Sequence, residues 1–259
     1  MSYQVGLVLS GGGARGIAHL GVIKALEEDG IKPDIISGCS AGAIVGALYA
    51  YGYSTNDILK ILLDLKAFRL LQQALNTTVL LKMEIIHKFL EKHLPENDFQ
   101  SLKIPMVVAA TNIRTGRSEY FQDGDLALAI CASSCIPVLF DPVEYNGEKY
   151  IDGGILNNLP VEAIRNKTKM VIASHSNPID TDFEYKNVSA VMQRALMLAV
   201  TQNVNLSAKK CDFLIEPKGL EPFKVMDIGS AKEIFRIGYQ EAKKQIEELD
   251  IKAKLDHDV

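Results

Sequence analysis

Two short apolar runs, YQVGLVL at residues 3 to 9 and DIISG at 34 to 38, are each followed at once by a glycine-bearing turn and then by a helical stretch. The helical stretches run from about Ala14 to Glu28 and from about Ala41 to Tyr51, which makes two strand-helix units within the first fifty residues. Alternation of this kind predicts an α/β fold, with a mainly parallel central sheet flanked by helices.

The remaining sequence extends this pattern. From Thr55 to Leu94 apolar residues recur at helical spacing, as in Ile58, Leu59, Leu62 and Leu63 and again in Ile85, Ile86, Phe89 and Leu90, so this segment reads as a helical insertion or cap. Strands are expected at IPMVVAATN (104 to 112), KMVIASHS (169 to 176) and DFLIEP (212 to 217). Between the first two lie a small-residue helix through LALAICASSC and a hairpin, VEYNGEKYIDGG, whose Asn146 and Gly147 suit a type I′ turn. Long helices are expected from about Val188 to Lys209 and from Asp227 to Leu249. No internal repeat or Pro/Gly/Ser linker divides the chain, so residues 1 to 259 are expected to form one domain, with about 55 to 94 as an insertion or lid.

A net charge of -4 without a basic stripe gives no footprint for nucleic acid. The start MSYQVGLVLS lacks a cationic segment ahead of an apolar one, and no uncharged run approaches the roughly 20 residues that span a bilayer. The expectation is therefore a cytoplasmic chain. Cysteines at 39, 131, 135 and 211 form no CxxC pair and meet no histidine ladder, so the sequence predicts buried reduced thiols, no metal site and no cofactor.

The first turn, LSGGGARG, contains Gly11, Gly13 and Gly16 in the spacing G-x-G-x-x-G, between a strand and a helix, as a dinucleotide site requires. A nucleotide-binding oxidoreductase is one reading. It needs an acidic residue near the end of the second strand, however, and Asp34 stands at that strand's beginning. The strand ends instead in GCSAG, a G-x-S-x-G sequence in a strand-turn-helix setting, where a sharp turn exposes the Ser40 hydroxyl and Gly38 and Gly42 allow close packing.

A serine nucleophile needs a base and needs N–H donors for the oxyanion that forms on the attacked carbonyl; the exposed amides of the first glycine loop suit the second need. Among the histidines, His87, His93 and His257 read as solvated and His19 as structural, while His175 follows Ser40 and Asp152 in the order of an α/β-hydrolase triad. Against His175, only one strand precedes DIISG, fewer than that fold places before its elbow. Asp152, in YIDGG, reads equally well as a turn residue.

Four ordered blocks, GGGARG (11 to 16), GCSAG (38 to 42), ASSCIP (132 to 137) and DGG (152 to 154), give the chain a resemblance to the patatin-like phospholipases, especially the compact bacterial members. The resemblance implies a three-layer fold and a catalytic dyad of Ser40 as nucleophile and Asp152 as proton acceptor, supported by Gly38, Gly42, Gly153 and Gly154. It further implies an oxyanion hole from Gly11, Gly12, Gly13 and Arg15, with Arg15 either facing the substrate or orienting the loop and balancing charge, a fatty-acyl ester as substrate, and no cofactor. On this reading the apolar stretch 58 to 94 is either a lid or acyl-chain wall that also touches a bilayer, or ordinary helix packing. The other reading of the same motifs is a regulatory protein that keeps the fold without turnover.

Overall fold

The computed structural model describes residues 3–63, 83–137, 139–179, 183–184, 187–224 and 227–257. Strands β1 (Tyr3–Leu9), β2 (Ile35–Cys39), β3 (Met106–Asn112), β4 (Arg117–Phe121), β5 (Val143–Tyr145), β6 (Glu148–Asp152), β7 (Thr168–Ser174) and β8 (Phe213–Ile215) form one sheet. Helices α1 (Ala18–Glu28), α2 (Ala41–Tyr51), α3 (Thr55–Leu63), α4 (Glu84–His93), α5 (Leu126–Ser133), α6 (Gly154–Asn157), α7 (Val188–Ala208), α8 (Ala231–Leu249) and α9 (Ile251–His257) surround it. Two starts differ from expectation: a 3-10 turn, Gly13–Ile17, precedes α1, and another, Ile228–Ser230, precedes α8.

Pairing runs β5–β6–β3–β2–β1–β7–β8, with β4 also on β3. The β2, β1, β7 and β8 pairings are parallel, as is β2 with β3, and the hairpin strands join antiparallel. Neighbouring residues of each central strand enter different cores. Leu7 and Leu9, Ile36, Met106 and Val108, and Met170 and Ile172 enter the larger core. Val8, Ile35, Val107 and Val171 enter a second core closed by Leu159, Val161, Ile164 and Val204 of α7. This alternation is why the strands read as unbroken apolar runs: a sheet covered on both faces has no polar face to show.

Register explains how distant parts of the chain meet. β2 pairs with β3 up to Cys39 opposite Ala109, and β6 pairs with β3 from Asp152 opposite Ala110. Because β4 takes the other edge of β3 across residues 108 to 112, β2 and β6 share one edge. Their carboxyl ends therefore abut, and Cys39 and Asp152 occupy adjacent rungs.

Asn146 and Gly147 both have positive φ, 51° and 76°, as the type I′ reading requires. Of the 55 to 94 segment, α3 and α4 carry buried Ile58, Leu62 and Leu90, while residues 64–82 lie outside the described residues. Cys39, Cys131 and Cys135 are buried free thiols; Cys211 departs from expectation in being only partly covered. No helix among the described residues is long and apolar enough to cross a membrane.

α1 and α8 pack so closely that a Cβ added at Gly21 would lie 2.3 Å from the Tyr239 nitrogen, and one at Gly238 would lie 2.3 Å from the Ala18 oxygen. The obstacles are backbone atoms, which cannot rotate away. Gly238→Val should therefore force the helices apart, and overpacking of this kind costs about 1–3 kcal/mol. At roughly 2–4 °C per kcal/mol for a chain of this size, thermal denaturation should show a midpoint lowered by about 5 °C.

Candidate active site

Ser40 links β2 to α2 in a conformation that L-residues rarely adopt, φ 51° and ψ −120°. Such a backbone persists only where its surroundings over-determine it. They do so here. α2 starts directly over the end of β1, where a Cβ at Gly42 would stand 2.3 Å from the Leu9 oxygen and one at Gly38 would stand 2.7 Å from the Gly42 oxygen. On the other side the Ser133 hydroxyl accepts from the Ser40 N–H at 2.8 Å and donates to the Ala109 carbonyl at 2.6 Å.

The strained turn aims the Ser40 hydroxyl at Asp152, to which it donates at 2.7 Å through Oδ2. The other carboxylate oxygen accepts from the Gly154 N–H at 2.8 Å, with the Cys39 thiol 3.9 Å away. Asp152 is itself pinned, its N–H donating to the Cys135 carbonyl at 2.8 Å and that of Gly153 to the Ser133 carbonyl at 3.2 Å. Burial raises the Asp152 pKa to about 6, against the opposing effects of the bonds from Ser40, Gly154 and Cys39. The same burial, with the Asp152 charge beside it, pushes the Cys39 thiol well above its ordinary range, so Cys39 stays protonated.

The glycine loop closes over this pair. Gly11, Gly12 and Gly13 line a cavity of about 490 Å³ together with Ser40 and Asp152. The Gly11 N–H donates to the Asn158 carbonyl at 3.2 Å, while the Asn158 side chain donates back to the Gly11 carbonyl at 3.3 Å. The amides of Gly12 and Gly13 have no acceptor among the described residues. Of the three, these two can donate to an incoming anion.

Arg15 takes the orienting position of its two expected roles. Its guanidinium donates to the carbonyls of Phe223 (2.7 Å), Pro178 (3.1 Å) and Glu221 (3.1 Å) and to the Asn177 side chain (3.1 Å). Its own N–H donates to the Gly12 carbonyl at 3.2 Å. Those donors face the carboxyl-terminal segments, so Arg15 fixes the loop from behind and is not among the described residues that line the cavity.

His19 lies beneath the loop, fully buried. Its Nε2 stands 2.9 Å from the Ser10 carbonyl, which can only accept, so Nε2 carries the proton, and Nδ1 accepts from the Ser174 hydroxyl at 2.8 Å. Burial lowers its pKa to about 4 and keeps the ring neutral. His175 bonds Glu216 at 2.7 Å through Nδ1 and is not among the residues lining the cavity. The dinucleotide reading also loses its acid, because the Asp34 carboxylate accepts from the N–H groups of Gln4 and Val5, at 3.0 and 2.9 Å, where β1 begins.

Sequence reasoning thus placed Ser40, Asp152 and the three glycines together and missed the residues that hold them. Ser133 sits inside ASSCIP and Asn158 follows DGG four residues on, but hydroxyls and amides are common in turns, and nothing in the sequence there says where they point. Asn203, which accepts from the Asn158 N–H at 3.0 Å and donates to the Gly154 carbonyl at 3.0 Å, gives no local signal on α7.

The chain as a whole is similar to known proteins. The chain is 26% identical to human patatin-like phospholipase domain-containing protein 6, over 92% of this chain and 20% of that one. It is 30% identical to lysophospholipase NTE1 of Meyerozyma guilliermondii, over 91% and 19%, and 38% identical to an NTE family protein of Mycobacterium bovis, over 63% and 46%. It thus spans about a fifth of the length of the first two relatives. Two solved structures share the fold. VipD from Legionella pneumophila matches with a TM-score of 0.55 and 19% identity, over 99% of this chain and 67% of that one. Human GIVD cytosolic phospholipase A2 matches with a TM-score of 0.52 and 12% identity, over 98% and 60%. The sequence model of the patatin-like phospholipases matches residues 7–165, more than half of the chain, in a stretch that includes the glycine loop, Ser40 and Asp152; the chain belongs to the patatin-like phospholipase family.

Proposed function

We propose that the protein hydrolyses fatty-acyl esters of lipids through Ser40 and Asp152, by way of an acyl-serine intermediate. The carrying observation is the 2.7 Å bond from the Ser40 hydroxyl to a carboxylate whose proton affinity burial has raised. An exposed aspartate is too weak a base for a serine, whereas one with a pKa near 6 is closer to the operating pH. Asp152 takes the hydroxyl proton as Oγ attacks the ester carbonyl, and the negative charge on the carbonyl oxygen is held by the Gly12 and Gly13 amides. As the tetrahedral centre collapses, Asp152 returns the proton to the departing alcohol. Water then enters beside Asp152 and gives up a proton to it as the water oxygen attacks the acyl carbon, and the acid leaves as Asp152 returns that proton to Ser40 Oγ.

The names of the relatives, phospholipase and lysophospholipase, favour a glycerophospholipid with one or two acyl chains as substrate. We also read the chain as one catalytic domain that meets its substrate at a bilayer surface, and the apolar walls of the cavity support that reading: Ile136, Leu139, Met192, Leu196, Met197 and Val200 face it.

A fluorophosphonate probe should label the wild type at Ser40 and leave Ser40→Ala unlabelled. Asp152→Asn should lower kcat/KM on a nitrophenyl ester by about 10³-fold, the range of a lost general base, while His175→Ala should leave turnover intact. An unlabelled, inert wild type would sink the hydrolase reading in favour of a regulatory protein without turnover.

The pH profile follows from the Asp152 pKa of about 6. Only the carboxylate form can accept the serine proton, so log kcat/KM should rise with pH and level off above about 6. The stability effect has the opposite sense. A folded pKa above the unfolded 3.8 favours the folded state below 3.8, and the advantage is lost as pH rises through 6. Asp152→Asn should therefore melt at or above the wild-type temperature at pH 8 while remaining inert.

Ser133→Ala leaves two buried backbone groups, the Ser40 N–H and the Ala109 carbonyl, without their hydroxyl partner. A loss of about 1–3 kcal/mol in chemical denaturation is expected, together with slower fluorophosphonate labelling at full occupancy of the fold.

A further inference from the structure

The cleft has two chambers that meet at Ser40. The larger, about 490 Å³, is lined by Asp152; the smaller, about 80 Å³, shares Ser40, Gly13 and Ile136 with it but is not lined by Asp152. On the hydrolase reading above, on which this inference rests, the group that returns a proton to the departing alcohol must face that alcohol. The alcohol therefore occupies the Asp152 chamber, the oxyanion points to the glycine amides, and the carbonyl end of the acyl chain enters the smaller chamber, which is too small to hold the whole chain.

That smaller chamber is walled by apolar side chains, among them Ile17, Ile44, Val45, Leu62 and Phe140. Among the described residues, one side chain other than Ser40 breaks the pattern. Ser134 is 6% exposed, and its hydroxyl is the one buried side-chain polar atom among the described residues without a hydrogen-bond partner. Its backbone is satisfied, the N–H donating to the Cys131 carbonyl at 3.1 Å and the carbonyl accepting from Ile136 at 3.0 Å. Its neighbour Ser133 is fully engaged in holding the Ser40 turn. Ser134 has no partner within the protein, so its hydroxyl is free to pair with something that enters the chamber.

We infer that Ser134 is a specificity residue that hydrogen-bonds an oxygen carried by the acyl chain near its carbonyl end, so that the preferred acyl group is hydroxylated within its first few carbons. A plain chain would cover the hydroxyl and leave it unpaired, whereas a 3-hydroxyacyl chain supplies both a donor and an acceptor.

The test compares kcat/KM for nitrophenyl esters of decanoic, 3-hydroxydecanoic and 10-hydroxydecanoic acids in the wild type and in Ser134→Ala. The wild type should favour the 3-hydroxy ester over the plain one by about tenfold, the order of one net hydrogen bond, and should not favour the 10-hydroxy ester. In Ser134→Ala the ratio should fall to about one, and the variant should melt no lower than the wild type. Hydrolysis of all three esters with no preference, or with a preference that survives Ser134→Ala, overturns the inference and leaves the hydrolase reading standing. If none of the esters turns over, the hydrolase reading has failed. Calorimetric affinities of Ser40→Ala for methyl decanoate and methyl 3-hydroxydecanoate then decide the matter: tighter binding of the hydroxy ester, lost in the Ser40→Ala/Ser134→Ala double variant, upholds the Ser134 contact, and equal affinities overturn it.

Discussion

Everything at the candidate site depends on two strand ends meeting on one edge of β3. β2 arrives from one direction and β6 from the other, and Cys39 and Asp152 come to rest opposite Ala109 and Ala110. A hydroxyl and a carboxylate that stand 112 residues apart in sequence are thereby held 2.7 Å apart by backbone registry rather than by flexible side chains. A reactive pair held by strands keeps its geometry far better than one held by loops. The cost is local: a serine at positive φ and a carboxylate removed from water, both of which the surrounding backbone must enforce.

The enforcement comes from small groups in close contact. Ser133 ties the Ser40 amide to β3, Asn158 clips the glycine loop to the segment after Asp152, and Asn203 ties that segment to α7. Each is a short polar side chain bonded to the backbone of another segment. His19 does the same beneath the loop, and its neutrality matters, since a charged ring there would be buried without a counter-ion.

Much of this was legible in the sequence, and the limit has a physical cause. Alternating strand and helix signals, the unbroken apolar runs of the central strands, and the Asn-Gly hairpin are local properties, written in residues a few positions apart. The GCSAG turn was readable for the same reason: its glycines are demanded by atoms of the adjacent strand and helix. Asp152 was ambiguous until the family resemblance named it, because its role depends on which edge of β3 its strand joins. Arg15 was left between two roles. Its charge invited a role facing an anion, but the carbonyls of residues 178, 221 and 223 that receive it lie more than 160 positions away, beyond the reach of any local pattern.

That same long reach bears on the order in which the protein becomes competent. A ribosome releases the glycine loop first and the carbonyls that seat Arg15 some two hundred residues later, and β1, the first strand made, lies in the sheet between β2 and a strand that ends only at Ser174. Until those later segments have emerged, the loop above Ser40 lacks its rear support. The chain is thus built so that its cleft is completed last, and a half-made copy has no finished cleft.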